Sequence, residues 1–381
     1  MVAVLLDSMN THFDELTDPR RQNANLLHPF SELLTIAISA MICGADNWVA
    51  METFARSKEK WLRSFLTLPN GIPSHDVFNN VFAKLEPLVF ERCFIAWAES
   101  ITSLMPGEVI AIDGKTVRRS HDRSNGRQAI HLVSAWAGEN ELLLGQVKTE
   151  DKSNEIKAIP ELLELLTIEG TLVTIDAMGC QKAIAERILS RGADYLLAVK
   201  NNQPSLYEAI QDAFFEADDE VFHSQFAEDC VDVGERAHGR QETRRCWVCT
   251  DLDVINCDLS VWQGLVAIVV VASERTVNGE TTEEYRFYIT SRKDTAAYYL
   301  TASRRHWLVE NQLHWVLDVA FDEDRSRTRK DYGAENLSVL RRIALNLLKR
   351  EKTEKVGIAN KRLRAGWDES YLLKVLSGLA S

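Results

Sequence analysis

Two aspartates in this chain each close a run of apolar residues, Ile110-Ala111-Ile112-Asp113 and Val173-Thr174-Ile175-Asp176. In an open α/β sheet, ligands gather beyond the carboxyl ends of the strands. If these runs are neighbouring strands, about 4.8 Å apart, the two carboxylates converge. Like charges that close repel unless a cation lies between them, and carboxylate oxygens are the hard ligands that Mg²⁺ prefers. The competing account is turn chemistry, because Asp113-Gly114 is also a strong turn signal.

A third group lies between Arg305 and Asp318, in RHWLVENQLHWVLD. On a helix His306, Glu310, His314 and Asp318 recur every four residues and form one polar stripe. On a segment otherwise this apolar, such a stripe faces water, a partner or a site. A zinc ion held by His306, Glu310 and His314 is an alternative, but it leaves the two strand-end aspartates without a role.

The elements that must position these groups follow from periodicity. Residues from about 28 to 104 read as helices. Pro29-Phe30-Ser31 opens one that stops at Gly44, and a second runs from about Trp48 to Leu66. Ser74 is placed as the N-cap of a third, and Pro87 starts a fourth. From about residue 108 the pattern changes to a strand ending at Asp113, a hairpin around Gly138-Glu139-Asn140, a helix from Glu155, and the strand Thr171–Ile175. A helix over Lys182–Leu189 and the strand Tyr195–Val199 follow. That order, β-β-β-α-β-α-β, is the order of a ribonuclease-H-like sheet. Residues from about 220 to 290 read as all-β, which within an α/β unit marks an insertion. Helix returns at Ala296, with breaks expected at Gly357 and Gly366. The fold class is therefore α/β. A helical N-terminal domain (1–104) precedes a ribonuclease-H-like domain (105–350) that carries the β-rich insertion, and a helical tail (351–381) ends the chain.

Composition narrows the function classes. The 381 residues are 45% apolar and 26% charged, ordinary for a globular protein. No signal peptide is read at the N-terminus, and the longest apolar stretch, Leu33 to Cys43, is too short to span a bilayer. A cytoplasmic protein without membrane contact is expected. Seven scattered cysteines give no disulfide framework. Cys246 and Cys249 read as strand residues on opposite faces rather than as half a zinc site. The net charge of −12 weighs against a nucleic-acid partner, but the distribution is uneven. Residues 201–234 hold nine acids and no Lys or Arg, whereas residues 325–364 hold thirteen Lys and Arg against four acids. The second run is either a polyanion-binding face or a solvated helix surface.

The segments IAIDGKTVRRS, VTIDAMGCQ and RRHWLVENQLHWVLDVAFDEDRSRTR, in that order and preceded by GIPSHDVFNNVFAKLEP, resemble the DDE transposases of bacterial insertion sequences, in the H-repeat-associated branch. The resemblance covers nearly the whole chain. It implies that Asp113, Asp176 and Glu310 are the catalytic metal-binding triad, holding two Mg²⁺ or Mn²⁺ ions for cleavage and strand transfer of DNA. Terminal inverted repeats and target DNA are the implied partners, bound by a homodimer. A catalytically silent DNA-binding relative is the alternative. Related members carry Tyr, Arg, Glu and Lys around the last motif. Here the Tyr, Arg and Lys positions hold Ser303, His306 and Leu317, and His306, Arg305 and His314 are the candidates to grip the phosphates in their place. Lys115, Arg118 and Arg119 after the first aspartate, and Lys200 and Asn201 after the last core strand, are further DNA-contact candidates. Arg240 shares a strand face with Glu242 and Arg244, which serves either DNA contact or ion pairs. Asn79, Asn80 and Lys84 lie on a helix that is a candidate reader of the terminal repeat.

Overall fold

The computed structural model describes residues 11–21, 26–121, 126, 128–149, 155–216, 225–233, 240–277 and 280–379. Its first helix, α1 (Phe30–Ile42), is apolar on nearly every face and buried on nearly every face, as a central helix must be. It ends at Gly44, whose φ of +93° is one that a residue with a side chain rarely adopts. The expected helix from Trp48 to Leu66 breaks at Lys58 into α2 (Trp48–Ser57) and α3 (Glu59–Leu62). Ser74 does sit at the N-cap of α4 (His75–Lys84), but its side chain makes no cap bond. The Glu52 carboxylate accepts from the His75 amide at 2.7 Å instead. Helix α5 (Pro87–Ser100) starts on proline, as expected.

The sheet follows. Strands β1 (Val109–Thr116), β2 (His131–Ala137) and β3 (Leu142–Thr149) are antiparallel neighbours. After α6 (Glu155–Leu165), strand β4 (Leu172–Ile175) pairs parallel to β1. After α7 (Lys182–Ser190), β5 (Asp194–Val199) pairs parallel to β4. Helix α8 (Pro204–Phe215) was not read from the sequence. The β-rich stretch contributes β6 (Ala227–Val233), β7 (Arg240–Cys249), β8 (Ala267–Val277) and β9 (Glu280–Thr290). Strand β9 pairs with β5, so these strands extend the same sheet, giving nine strands in the order β3-β2-β1-β4-β5-β9-β8-β7-β6.

Helix α9 (Ala296–Val309) covers one face of this sheet. It passes through a π-helical turn (Glu310–His314) into α10 (Trp315–Ala320). Helix α11 (Gly333–Arg350) then packs on α1, α4, α5 and β3. In the tail, α12 (Ile358–Trp367) and α13 (Glu369–Leu376) pack on α1 and α11. Gly366 lies inside α12 rather than at a break. Arg362 reaches from α12 to the Met41 carbonyl at 2.8 Å and to Asp46 at 2.5 Å. Four cations of the basic run, Arg341, Arg342, Lys361 and Arg362, are buried, which removes them from any surface face. Cys246 and Cys249 join two different cores, as opposite faces of a strand require. Among the described residues no helix is long and apolar enough to cross a membrane.

Candidate active site

The last residues paired between β1 and β4 are Ile112 and Ile175. Asp113 and Asp176 are the next residues on these neighbouring strands, about 4.8 Å apart at the backbone. Asp113-Gly114 is not a turn: both residues continue β1, paired with Ser134 and Val133 of β2. Side chains alternate along a strand. Val109 and Leu172, in the same parity as the two aspartates, enter the small core beneath α9 with Tyr299 and Leu300. Ile112 and Ile175 enter the main core on the opposite face. Both carboxylates therefore project toward the face that α9 covers.

The helical stripe meets them there. His306 Nδ1 lies 3.1 Å from Thr174 Oγ1 on β4, and His314 Nδ1 lies 3.4 Å from Asp113 Oδ2. Asp318 accepts from Lys115 Nζ at 2.6 Å. Four residues of α-helix overshoot a full turn by about 40°, so an unbroken helix would carry the stripe away from the sheet. The π-turn at Glu310–His314 is wider, winds back that drift, and belongs to a class of bulge frequent at functional sites. Nothing in the residue pattern marks it.

Electrostatics tie the three acids together. Burial pushes the Asp113 carboxyl up to about 7, and the negative charges of Asp176, Glu155 and Glu310 act in the same direction. Asp176 caps the turn that follows it, its Oδ1 accepting from the Met178 amide at 3.1 Å and the Gly179 amide at 3.4 Å. Among the described residues no Lys or Arg forms an ion pair with Asp113, Asp176 or Glu310. Burial pushes His314 down to about 3 and His306 down to about 4, so both imidazoles beside the acids are neutral near pH 7. Among the described residues no three His, Cys, Asp or Glu side chains already close on one point as metal ligands. Three carboxylates without a cationic partner, one of them largely buried, are still a donor set of the right hardness for a divalent ion. The zinc alternative is not formed, because His306 turns toward Thr174 and His314 toward Asp113.

Two neighbours of the site went unread in the sequence. Glu155, at the start of α6, and His131, on β2, form a buried pair at 2.5 Å beneath Gly114. Nothing in their spacing connects them to Asp113; only the β1–β2 register does.

The remaining candidates divide. Lys115 is a correction: its ammonium is buried and bonded to Asp318 and to Glu323, the latter at 2.9 Å, and so is not open to a phosphate. Arg118 is exposed and paired with Asp324 at 3.2 Å, while Arg119, Lys200 and Asn201 are exposed. Arg305 is paired with Glu139. Arg240 opens β7, and its side chain falls outside the described residues. Glu242 is paired with Arg244 and, at 3.9 Å, with Arg275 of β8, the ion-pair reading of that strand face. Glu242, Arg244, Arg286, Trp307 and Glu310 line a groove of about 390 Å³, which opens Glu310 to solvent along the β-rich strands.

An α/β protein with carboxylates at adjacent strand ends and a third on the covering helix has a site suited to metal-assisted phosphoryl transfer. The Transposase DDE domain model matches residues 105–347, and the DDE_Tnp_1-associated model matches residues 10–98. The chain belongs to the DDE transposase family. It is 42% identical over 361 residues to a putative transposase, YncI, of Escherichia coli O157:H7, covering 94% of this chain and 91% of that one. It is 41% identical over 363 residues to an H repeat-associated putative transposase, YhhI, of Escherichia coli K12, covering 94% and 95%. The cryo-EM structure of a piggyBac transposase synaptic complex with hairpin DNA is similar at a TM-score of 0.43 and 12% identity, covering 100% of this chain and 77% of that one.

Proposed function

We propose that this transposase cuts and joins DNA at the ends of an insertion sequence, using Asp113, Asp176 and Glu310 to hold two divalent metal ions. The observation that carries the proposal is the parallel β1–β4 register, which sets Asp113 beside Asp176; the exposed Glu310 on the covering helix is near enough for its charge to act on Asp113. The order β3-β2-β1-β4-β5 within the sheet supports a ribonuclease-H-like core. Bound metal ions supply activation of the attacking oxygen and neutralisation of charge on the leaving oxygen. The protein's own residues set the stage for that chemistry. Asp113 is half-buried and feels the charges of the other acids, so a cation keeps it ionised. Neutral His314 fixes the Asp113 carboxylate without competing for it by charge. His306 ties the helix to β4 through Thr174. The Lys115–Asp318 pair anchors the far end of the stripe to β1.

The helical N-terminal domain is assigned recognition of the terminal repeats, with Asn79, Asn80 and Lys84 on α4. Arg118, Arg119, Lys200 and Asn201 are assigned to phosphates near the site. Two copies hold the two ends. The test is strand nicking of a labelled terminal-repeat duplex in Mg²⁺ or Mn²⁺. Nicking abolished by a chelator and by Asp176→Asn supports the proposal. Nicking that persists in the variant overturns the triad.

A further inference from the structure

Between the active site and the N-terminal helices lies a groove of about 550 Å³, lined on one side by Arg325, Arg327, Arg329 and Lys330 and on the other by His75 and Asn79. The loop that carries the cations is fastened at both ends. Toward the active site, Asp324 accepts from the Arg118 amide at 3.3 Å, and Arg329 Nε donates to the Arg119 carbonyl at 3.1 Å. Toward the N-terminal helices, Lys330 Nζ donates to Asn80 Oδ1 at 2.6 Å, and the Tyr332 amide donates to the Ala83 carbonyl at 3.1 Å. The loop thus runs from the segment just beyond β1 to helix α4.

Its charges are poorly opposed. Arg325 is 79% exposed, and among the described residues its one ion-pair partner is Asp322, itself half exposed, at 3.5 Å. Asp46, the other acid of the groove, is paired with Arg362. Among the described residues Arg327 has no ion-pair partner. In a chain of net charge −12, guanidinium groups concentrated on one wall of a cleft focus a local positive potential. The N-terminus of α4 adds nothing to anion binding, because Glu52 already occupies it. Binding therefore falls to the arginine forks, whose planar donors match phosphate oxygens.

We propose that this groove is a phosphate-binding track for duplex DNA, separate from the carboxylate site, which leads the bound strand from α4 to Asp113. It rests on the reading that the chain binds DNA, and it assigns that binding to Arg325, Arg327 and Arg329. Each phosphate contact contributes a salt-dependence slope of about −0.9, so losing three flattens the slope by roughly 2 to 3.

The test is fluorescence anisotropy of a labelled terminal-repeat duplex across a salt series. It compares wild type, the triple variant Arg325→Ala/Arg327→Ala/Arg329→Ala, the single reversal Arg327→Glu, and Lys355→Ala as an exposed cation outside the groove. The expected result is at least a tenfold weaker Kd and a flatter salt slope for the triple variant. Arg327→Glu should weaken binding in the same direction with an unchanged melting temperature, and Lys355→Ala should bind as wild type. Binding by wild type that both groove variants match in affinity and slope overturns the track and leaves the DNA reading standing. A wild type that binds no duplex overturns both.

Discussion

His314 Nδ1 lies 3.4 Å from Asp113 Oδ2, joining the π-turn to the strand that supplies the first acid. Burial keeps this imidazole neutral, so it orients the carboxylate rather than neutralising it. Removing a partner that orients a metal ligand costs about 10–100-fold in metal affinity or activity. His314→Ala should lower the nicking rate by that factor while the melting temperature stays near wild type. An unchanged rate would show that the contact does not position Asp113.

Gly114 continues β1 over the Glu155–His131 pair. A Cβ there would stand 2.4 Å from Glu155 Oε1 and 2.6 Å from His131 Nε2. Both groups are buried and bonded to each other, so neither can withdraw without breaking the pair. Gly114→Ala should destabilise the fold by about 1–3 kcal/mol, the usual cost of overpacking, measured by denaturant unfolding. A neutral result would mean that the pair swings aside.

Glu323 is fully buried between Lys115, at 2.9 Å, and Arg342, at 2.7 Å. Burial alone would raise its carboxyl, but the charges of Arg342 and Lys115 hold it well below the ordinary range. Glu323→Gln leaves two buried cations without their shared anion and should cost about 3–5 kcal/mol. The same linkage sets a pH dependence. A depressed carboxyl stabilises the fold above the ordinary glutamate value, and this contribution fades as pH falls through the lowered value. Acid unfolding of the wild type should therefore be steeper than that of the variant, and superimposable acid transitions would contradict it.

Glu91 behaves in the opposite sense. Burial raises its carboxyl from 4.5 to about 8, against hydrogen bonds from the Gln146 amide and side chain. A group raised on folding stabilises the native state fully below its unfolded value and loses that contribution as pH rises through the folded one. Between about pH 5 and pH 8, wild-type stability should decline relative to Glu91→Gln, which holds no titrating proton. Melting curves that stay parallel across this range would show that Glu91 is already ionised in the folded state.

Much of this site was legible because its parts are strand-local or helix-local. Apolar runs ending in Asp113 and Asp176 marked two strands, and four-residue spacing marked the stripe from His306 to Asp318. What escaped depends on contacts distant in sequence. The burial of Lys115 is set by Asp318 and Glu323, some two hundred residues away. Glu155 reaches Asp113 only through the β1–β2 register. The basic run of 325–364 mixes buried structural cations with exposed ones, a division that only packing makes. The π-turn leaves no mark in periodicity because it lasts a single turn. The β-rich strands read as an insertion, but their continuity with β5 depends on edge pairing that a hydrophobic pattern does not specify.

The central claim is that Asp113, Asp176 and Glu310 together form one site for the two metal ions. Iron-directed cleavage tests it most directly. Fe²⁺ replaces the bound ion, ascorbate and peroxide generate hydroxyl radicals at the metal, and the protein fragments are mapped. The account expects backbone cuts beside all three residues, suppressed by excess Mg²⁺ and absent in Asp113→Asn. Cuts confined to the helix between His306 and His314, or a pattern unchanged in Asp113→Asn, would contradict it.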